Sequence, residues 1–288
     1  MNVVTKHLSS IAVAAMALIV SASGHAAIIT YGGQSATDGS GLTSSLVPKN
    51  NVVNPASGFF IETFDSATRM LGLPDGITSS PLSSNVVIQP GNGCSINTYN
   101  ILNFTTTGGG FAVQKGGTVG VAANPANDST CFGYGPRPGG GTPATVKIDF
   151  TNVLAPGFRI SYLGLYYGSI DDYNNIAFYT GVGDTLVSGT GALADGIVTG
   201  SEVREANGGP GNAGSWTAAN SNVYINLFFD PNETFTAFEF RTTGIAFELD
   251  NVVVGLSRVP EPGSVLLVAL GLFGVAAVSR RRSGAKNV

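Results

Sequence analysis

The chain has 288 residues, of which 43% are apolar and 11% charged, with 40 glycines and a formal net charge of −4. It is apolar enough to bury a core, which excludes a disordered tract. Its acidic balance gives no basic footprint for phosphates, which argues against nucleic acid as a partner.

At the N-terminus, Lys6 and His7 precede an apolar stretch from Leu8 to Val20, followed by the small residues Ser21 to Gly24 and Ala26. That order predicts a secretory signal peptide over residues 1–26, with a helical apolar region and a cut after Ala26. Residues 27–258 then form one exported domain. They carry seventeen acidic and nine basic side chains, a net charge of −8, which leaves carboxylates free for a hard cation. The only cysteines, Cys94 and Cys131, lie in this part. In an exported protein they are expected to pair as a disulfide. Closing that loop removes unfolded-chain entropy worth about 4 kcal/mol.

Ile28 to Ser57 is rich in Gly, Ser, Thr and Asn and reads as an irregular lead-in with one short strand. Phe59 to Phe64 is the first firm strand, and Pro74-Asp75-Gly76 marks a turn after a helical turn near Ala67 to Leu71. Asn85–Gln89, Tyr99–Thr105 and Phe111–Gln114 are further strands. Asn124 to Pro143 reads as a long loop, because prolines and successive glycines disfavour a central strand. Thr145 to Phe150 alternates polar and apolar strictly, so one face is buried. Strands at 158–166, 175–180 and 184–188 lead into a Gly-rich excursion up to Ser215. Val223, Ile225, Leu227 and Phe229 then point one way along a strand, and 235–241 and 245–254 complete the set. About ten to thirteen short strands between Gly, Pro, Asn and Asp turns predict an all-β domain, a β-sandwich or jelly roll.

The C-terminus has its own order. Val259-Pro260-Glu261-Pro262-Gly263-Ser264 precedes an uncharged apolar run, Val265 to Val278, and then Arg280-Arg281-Arg282. As a helix that run is about 21 Å long, short of a bilayer core of roughly 30 Å. Arginine snorkelling and the prolines before it favour a short transmembrane helix starting near Gly263, with the arginines on the cytoplasmic side. This arrangement resembles the PEP-CTERM sorting signal of Gram-negative bacteria, over residues 259–283, with 284–288 as a short tail. The resemblance implies that Pro260, Glu261, Pro262 and the three arginines are recognised by an exosortase, a membrane protease or transpeptidase. It implies transient anchoring in the inner membrane, removal of the tail, and delivery to the cell surface or extracellular matrix.

Leu165 to Tyr179 and Ala246 to Val252 resemble segments common in the ectodomains of PEP-CTERM proteins, which look like jelly rolls of the carbohydrate-binding-module kind. Tyr167 stands where relatives often carry Trp. In such jelly rolls a structural calcium often bridges the first and last strands. By that resemblance Glu62 and Asp65 at the start and Asp250 with Asn251 at the end could hold calcium; surface carboxylates and an Asx turn are the competing reading. Asp171, Asp172, Tyr173 and Asn174 form a polar loop that either satisfies its own backbone or touches a ligand. Tyr166, Tyr167, Tyr173, Tyr179 and Trp216 could stack on sugars if exposed, or pack in the core.

The only histidines, His7 and His25, fall in the signal peptide. A Ser-His-Asp triad and His-ligated zinc are therefore excluded from the domain. Gly208 to Gly211 lacks the lysine of a phosphate loop. A two-carboxylate glycosidase needs no histidine and stays open. The expectation is a non-catalytic surface or biofilm-associated protein, with an exopolysaccharide-binding module as the alternative and a secreted glycan-active enzyme behind both.

Overall fold

The computed structural model describes residues 27–65, 85–96, 103–151, 157–181, 184–231, 233 and 235–259. The signal peptide, the helical turn near Ala67, the Pro74 turn, the first residues of the strand expected at 99–105 and the sorting tail lie outside them. Among the described residues, no helix is long and apolar enough to cross a membrane.

The strands in chain order are β1 (Ile28–Tyr31), β2 (Gln34–Ser35), β3 (Leu42–Thr43), β4 (Phe59–Glu62), β5 (Val86–Ile88), β6 (Asn103–Gly108), β7 (Phe111–Lys115) and β8 (Cys131–Gly135). They continue with β9 (Ala144–Asp149), β10 (Phe158–Gly168), β11 (Asn174–Thr180), β12 (Thr185–Leu186) and β13 (Ile197–Thr199). After the helix α1 (Gly200–Ala206) come β14 (Val223–Phe228), β15 (Phe235–Thr242) and β16 (Phe247–Arg258).

The larger sheet has eight strands in the order β1-β14-β10-β16-β8-β7-β5, with β4 also paired to β16. β16 is long enough to serve two neighbours on one edge. Its first residues pair with β8, and Val252 to Gly255 pair with β4. The smaller sheet runs β12-β11-β15-β9-β6, with β13 beside β11. The domain is thus mostly β, as expected, and its two sheets pack face to face.

Alternation builds the seam between them. Val146, Ile148 and Phe150 of the smaller sheet, and Leu163, Leu165, Ile225, Leu227, Phe247 and Leu249 of the larger one, belong to one buried cluster. Rings lock the two faces together: Phe240 lies 4.9 Å from Phe247 and 5.3 Å from Tyr167, centroid to centroid. Stacks of this kind add to the area-driven term.

Two expectations are corrected. The stretch 124–143 is not all loop, because β8 is an interior strand between β16 and β7, buried along its whole length. Its glycines make room for rings. A Cβ on Gly133 would stand 2.3 Å from the Phe111 ring, and one on Gly135 would stand 2.6 Å from Phe247. Glycine here marks close packing rather than a break.

The lead-in is also more than irregular. After β1 joins the edge of the larger sheet, residues 32–57 fold back as a strap over that sheet's outer face. The strap is held by polar bonds. Ser44 Oγ lies 2.7 Å from Tyr162 Oη, whose hydroxyl donates to Asn226 Oδ1 at 2.6 Å. Asn226 Nδ2 donates in turn to Gly32 O at 2.8 Å. Val47 and Val53 add a small apolar contact with Ile61, Tyr162 and Val253. The larger sheet is therefore buried on both faces. The Gly-rich excursion contains α1, begun by a capping box between Thr199 and Glu202.

Candidate functional site

Two features meet on the outer face of β16, where Glu248 and Asp250 alternate with the core residues Phe247 and Leu249. Both acids are fully buried. A bulge follows, because the register with β10 slips between Gly164 and Tyr166. Asn251 takes φ +46° there, a conformation Asn tolerates better than most residues. Its amide therefore faces the strap. Asn251 Nδ2 donates to Ser40 O at 2.9 Å and Leu42 O at 2.8 Å, and Oδ1 accepts from Asn51 Nδ2 at 3.0 Å.

Around Asp250 lies an acidic cluster drawn from four segments. Asp38 comes from the strap, Asp65 from the residues after β4, Asp128 from the turn before β8, and Asp250 from β16. Asp38 is exposed, Asp65 half-buried, and Asp128 and Asp250 buried, so the cluster runs inward from the surface. Asp38 Oδ1 accepts from Ser40 N at 3.1 Å and Oγ at 2.6 Å, and its Oδ2 accepts from Asn51 Nδ2 at 2.8 Å. Asp128 Oδ1 accepts from Thr130 N at 2.7 Å and Oγ1 at 2.8 Å. Asp65 Oδ1 accepts from Cys131 N at 3.2 Å. A β-bridge ties Ser40 to Asp128, and another ties Asp65 to Cys94.

Among the described residues, Oδ2 of Asp128 has no partner, and the Asp250 carboxylate has none but the backbone amide of Asn251 beside it. Burial pushes the Asp250 carboxyl well above the usual range, the charge of Asp128 pushes it further, and the Asn251 backbone bond pulls the other way. Burial raises Asp128 to about 7, against the lowering effect of the Thr130 bonds. Asp65 is raised by the same cause. Among the described residues, no three acid, imidazole or thiol groups stand close enough to cage an ion as placed.

Of the four residues expected at a calcium site, Asp65 and Asp250 belong to this cluster. Glu62 is buried, and its Oε1 accepts from Phe64 N at 2.7 Å. Asn251 spends its amide on the strap. Asp38 and Asp128 were not foreseen. Each opens an Asp-x-Ser/Thr turn, but Asp149 opens an identical one with Thr151 on the surface, so that signal alone does not single them out.

Glu248 sits at the wall of a pocket of about 320 Å³, which Asp171, Ser169, Trp216 and Ile245 also line. Its Oε2 accepts from Ser169 Oγ at 2.5 Å and its Oε1 from Ala123 N at 3.0 Å. Burial still drives its carboxyl well above the usual range. Trp216 and Ile245 are 43% and 52% exposed at the mouth. Of the polar loop, only Asp171 reaches this pocket. Asp172 pairs with Arg204 and accepts from Ser201 Oγ at 2.7 Å. Tyr173 donates its hydroxyl to Ile245 O at 2.7 Å, and Asn174 Nδ2 donates to Ala246 O at 2.9 Å. Most of this loop holds the chain together. Tyr166, Tyr167 and Tyr179 are buried, so they form no sugar platform.

The expected disulfide is present. Cys94 and Cys131 are joined with their Cα atoms 5.5 Å apart. β16 ends at Arg258, and the tail follows directly. A family model described as the PEP-CTERM protein-sorting motif matches residues 258–282. The chain carries a PEP-CTERM sorting signal. That signal marks an exported protein with a β-rich domain, processed by an exosortase through membrane-associated sorting in a Gram-negative bacterium. Pro260, Glu261, Pro262 and Arg280 to Arg282 fall within the match but outside the described residues. No curated protein matches the chain.

Proposed function

We propose that the chain is a cell-surface or extracellular-matrix protein of the biofilm-associated kind, with a non-catalytic sandwich of jelly-roll type. Its tail anchors it transiently in the inner membrane until exosortase removes the hydrophobic part. The observation that carries this reading is the sorting motif beginning where β16 ends. β16 is held by β10, β4 and β8, so cleavage beyond Arg258 leaves every ladder of the sheet intact. Deleting Pro260 to Arg282 should leave the domain folded, with its disulfide, but abolish processing and redirect the protein. Immunoblotting of cell fractions checks this, and unchanged processing and location would refute it.

The pocket beside Trp216 supports a second reading, contact with exopolysaccharide. A half-exposed indole next to carboxylate and hydroxyl groups suits a sugar ring, which has one apolar face and a polar edge. On a glycan array the full chain should retain a polysaccharide, and Trp216→Ala should weaken that binding about tenfold or more. Binding to nothing would remove this reading. The Glu248 and Asp171 pair is also what a glycosidase would need. Its Glu is already held by two donors, which favours a structural role, and release of reducing sugar would overturn the non-catalytic assignment.

A further inference from the structure

We propose that the α-amino group freed at Ala27 when the signal peptide is removed is a structural cation, which pairs with Glu233 and closes one end of the sandwich. The inference rests on the reading of residues 1–26 as a removable signal peptide. It goes beyond that reading in giving the new chain end a built receptor.

The receptor draws on both sheets. Ala27 is fully buried and belongs to the main core cluster. It stands directly before β1, the edge strand of the larger sheet. A parallel β-bridge joins it to Gly189, which follows β12, the edge strand of the smaller sheet. Val187, two residues before Gly189, is tied to that sheet by its amide, which donates to Phe178 O at 2.9 Å. A Cβ on Gly189 would stand 2.8 Å from Ala27 O, so the fit around residue 27 is close. Residue 27 thus joins the edge of one sheet to the edge of the other. Its nitrogen donates to Glu233 Oε1 at 2.8 Å. The other carboxylate oxygen, Oε2, accepts from Asp230 N at 2.7 Å, so Glu233 is aimed from two sides. The Glu233 amide donates to Asp230 O at 2.9 Å, which fixes the turn that carries it. Among the described residues, no side-chain cation lies within 4.0 Å of the Glu233 carboxylate. Arg159 feels the charges of Asp230 and Glu233, but its Nη1 donates to Phe229 O at 3.2 Å and Asp230 O at 2.8 Å.

Hydrolysis of the peptide bond between Ala26 and Ala27 by a signal-peptidase-type endopeptidase consumes one water. It leaves a carboxylate on Ala26 and an amine on Ala27, which is protonated at neutral pH. A nitrogen that gave one hydrogen bond as a peptide N–H then carries three donors and a positive charge. A charge at a buried chain end is unfavourable unless it is paired, and a charge-assisted hydrogen bond is about twice as strong as a neutral one. The partner is already in place, aimed and without another side-chain cation. The cut therefore strengthens the fold whose end it creates.

The test uses the full chain, exported by a Gram-negative host and purified in mild detergent. N-terminal sequencing should find the chain beginning at Ala27, and any other start overturns both the cut and the pair. A second chain carries one extra Gly between Ala26 and Ala27, with its start checked in the same way. It keeps the Ala27 amide but moves the charge one residue outward, and should melt several degrees lower. Glu233→Gln keeps an acceptor oxygen and removes the negative charge. It should lower the melting temperature by several degrees in the chain that begins at Ala27, and by no more than about half as much in the extended chain. Equal losses in the two chains would make Glu233 an ordinary acceptor for a backbone amide, overturning the pair while leaving the cut in place. If Glu233→Gln does not fold, the extended chain decides alone: an unchanged melting temperature overturns the pair.

Discussion

Glu248 and Asp250 sit two residues apart on one strand, equally buried, each with its carboxyl pushed well above the usual range. One has both oxygens engaged by protein donors, and the other has only the backbone amide of Asn251 beside it. Equal burial therefore hides unequal support. Burial and a shifted ionisation do not by themselves say how much a carboxyl holds the fold together.

The largest test of this contrast is to remove each acid in turn. Glu248→Ala leaves the Ser169 hydroxyl and the Ala123 amide without their partner at the pocket wall and should cost about 1–3 kcal/mol. Asp250→Asn should be close to neutral, because burial already holds that carboxyl in its uncharged form and the amide replaces one neutral group with another. Urea unfolding measures both, and equal losses would erase the distinction. The next effect is expected at the strap. Asn251→Ala loses its bonds to the strap and places Ala at φ +46°, for about 2 kcal/mol in all. Hydrogen exchange should quicken over residues 34–54 while β15 and β9 stay protected. Uniform quickening would mean that the strap is not a separate unit.

The remaining effect is on the pH dependence of stability. Asp128, facing Asp38 of the strap, Asp65, Asp250 and Tyr166, holds its proton up to about pH 7, against 3.8 ordinarily. A raised carboxyl contributes stability that is full below pH 4 and is lost as pH rises through 7. The melting temperature should therefore fall between about pH 4 and 7 and level off above that. Asp128→Asn should flatten that slope, and a slope unchanged in the variant would assign it to other groups.

The inner seam was legible because apolar side chains recur at every second position, as Val146, Ile148 and Phe150 do in β9. The strap was not. Its anchors are Asn, Ser and Tyr, which read as a loop because their burial depends on partners about 200 residues away, such as Asn51 with Asn251. β8 was missed because glycine signals a break locally, while in the fold it admits the rings of Phe111 and Phe247. Asp65 and Asp250 were singled out only through the resemblance to jelly rolls that carry a structural calcium. Asp38 and Asp128 were not, since nothing in Asp-x-Ser/Thr distinguishes a surface turn from an inward one.

The last strand also sets a clock. β16 is the centre of the larger sheet, yet it is synthesised after everything it pairs with, and Val254 finds Phe60 across about two thirds of the chain. A sheet closed by such distant contacts forms slowly and late. Until residues 247–258 emerge, β10 lacks one neighbour and β4 and β8 have nothing to bridge them. The larger sheet is therefore completed by its last-made strand, the one that runs straight into the sorting motif.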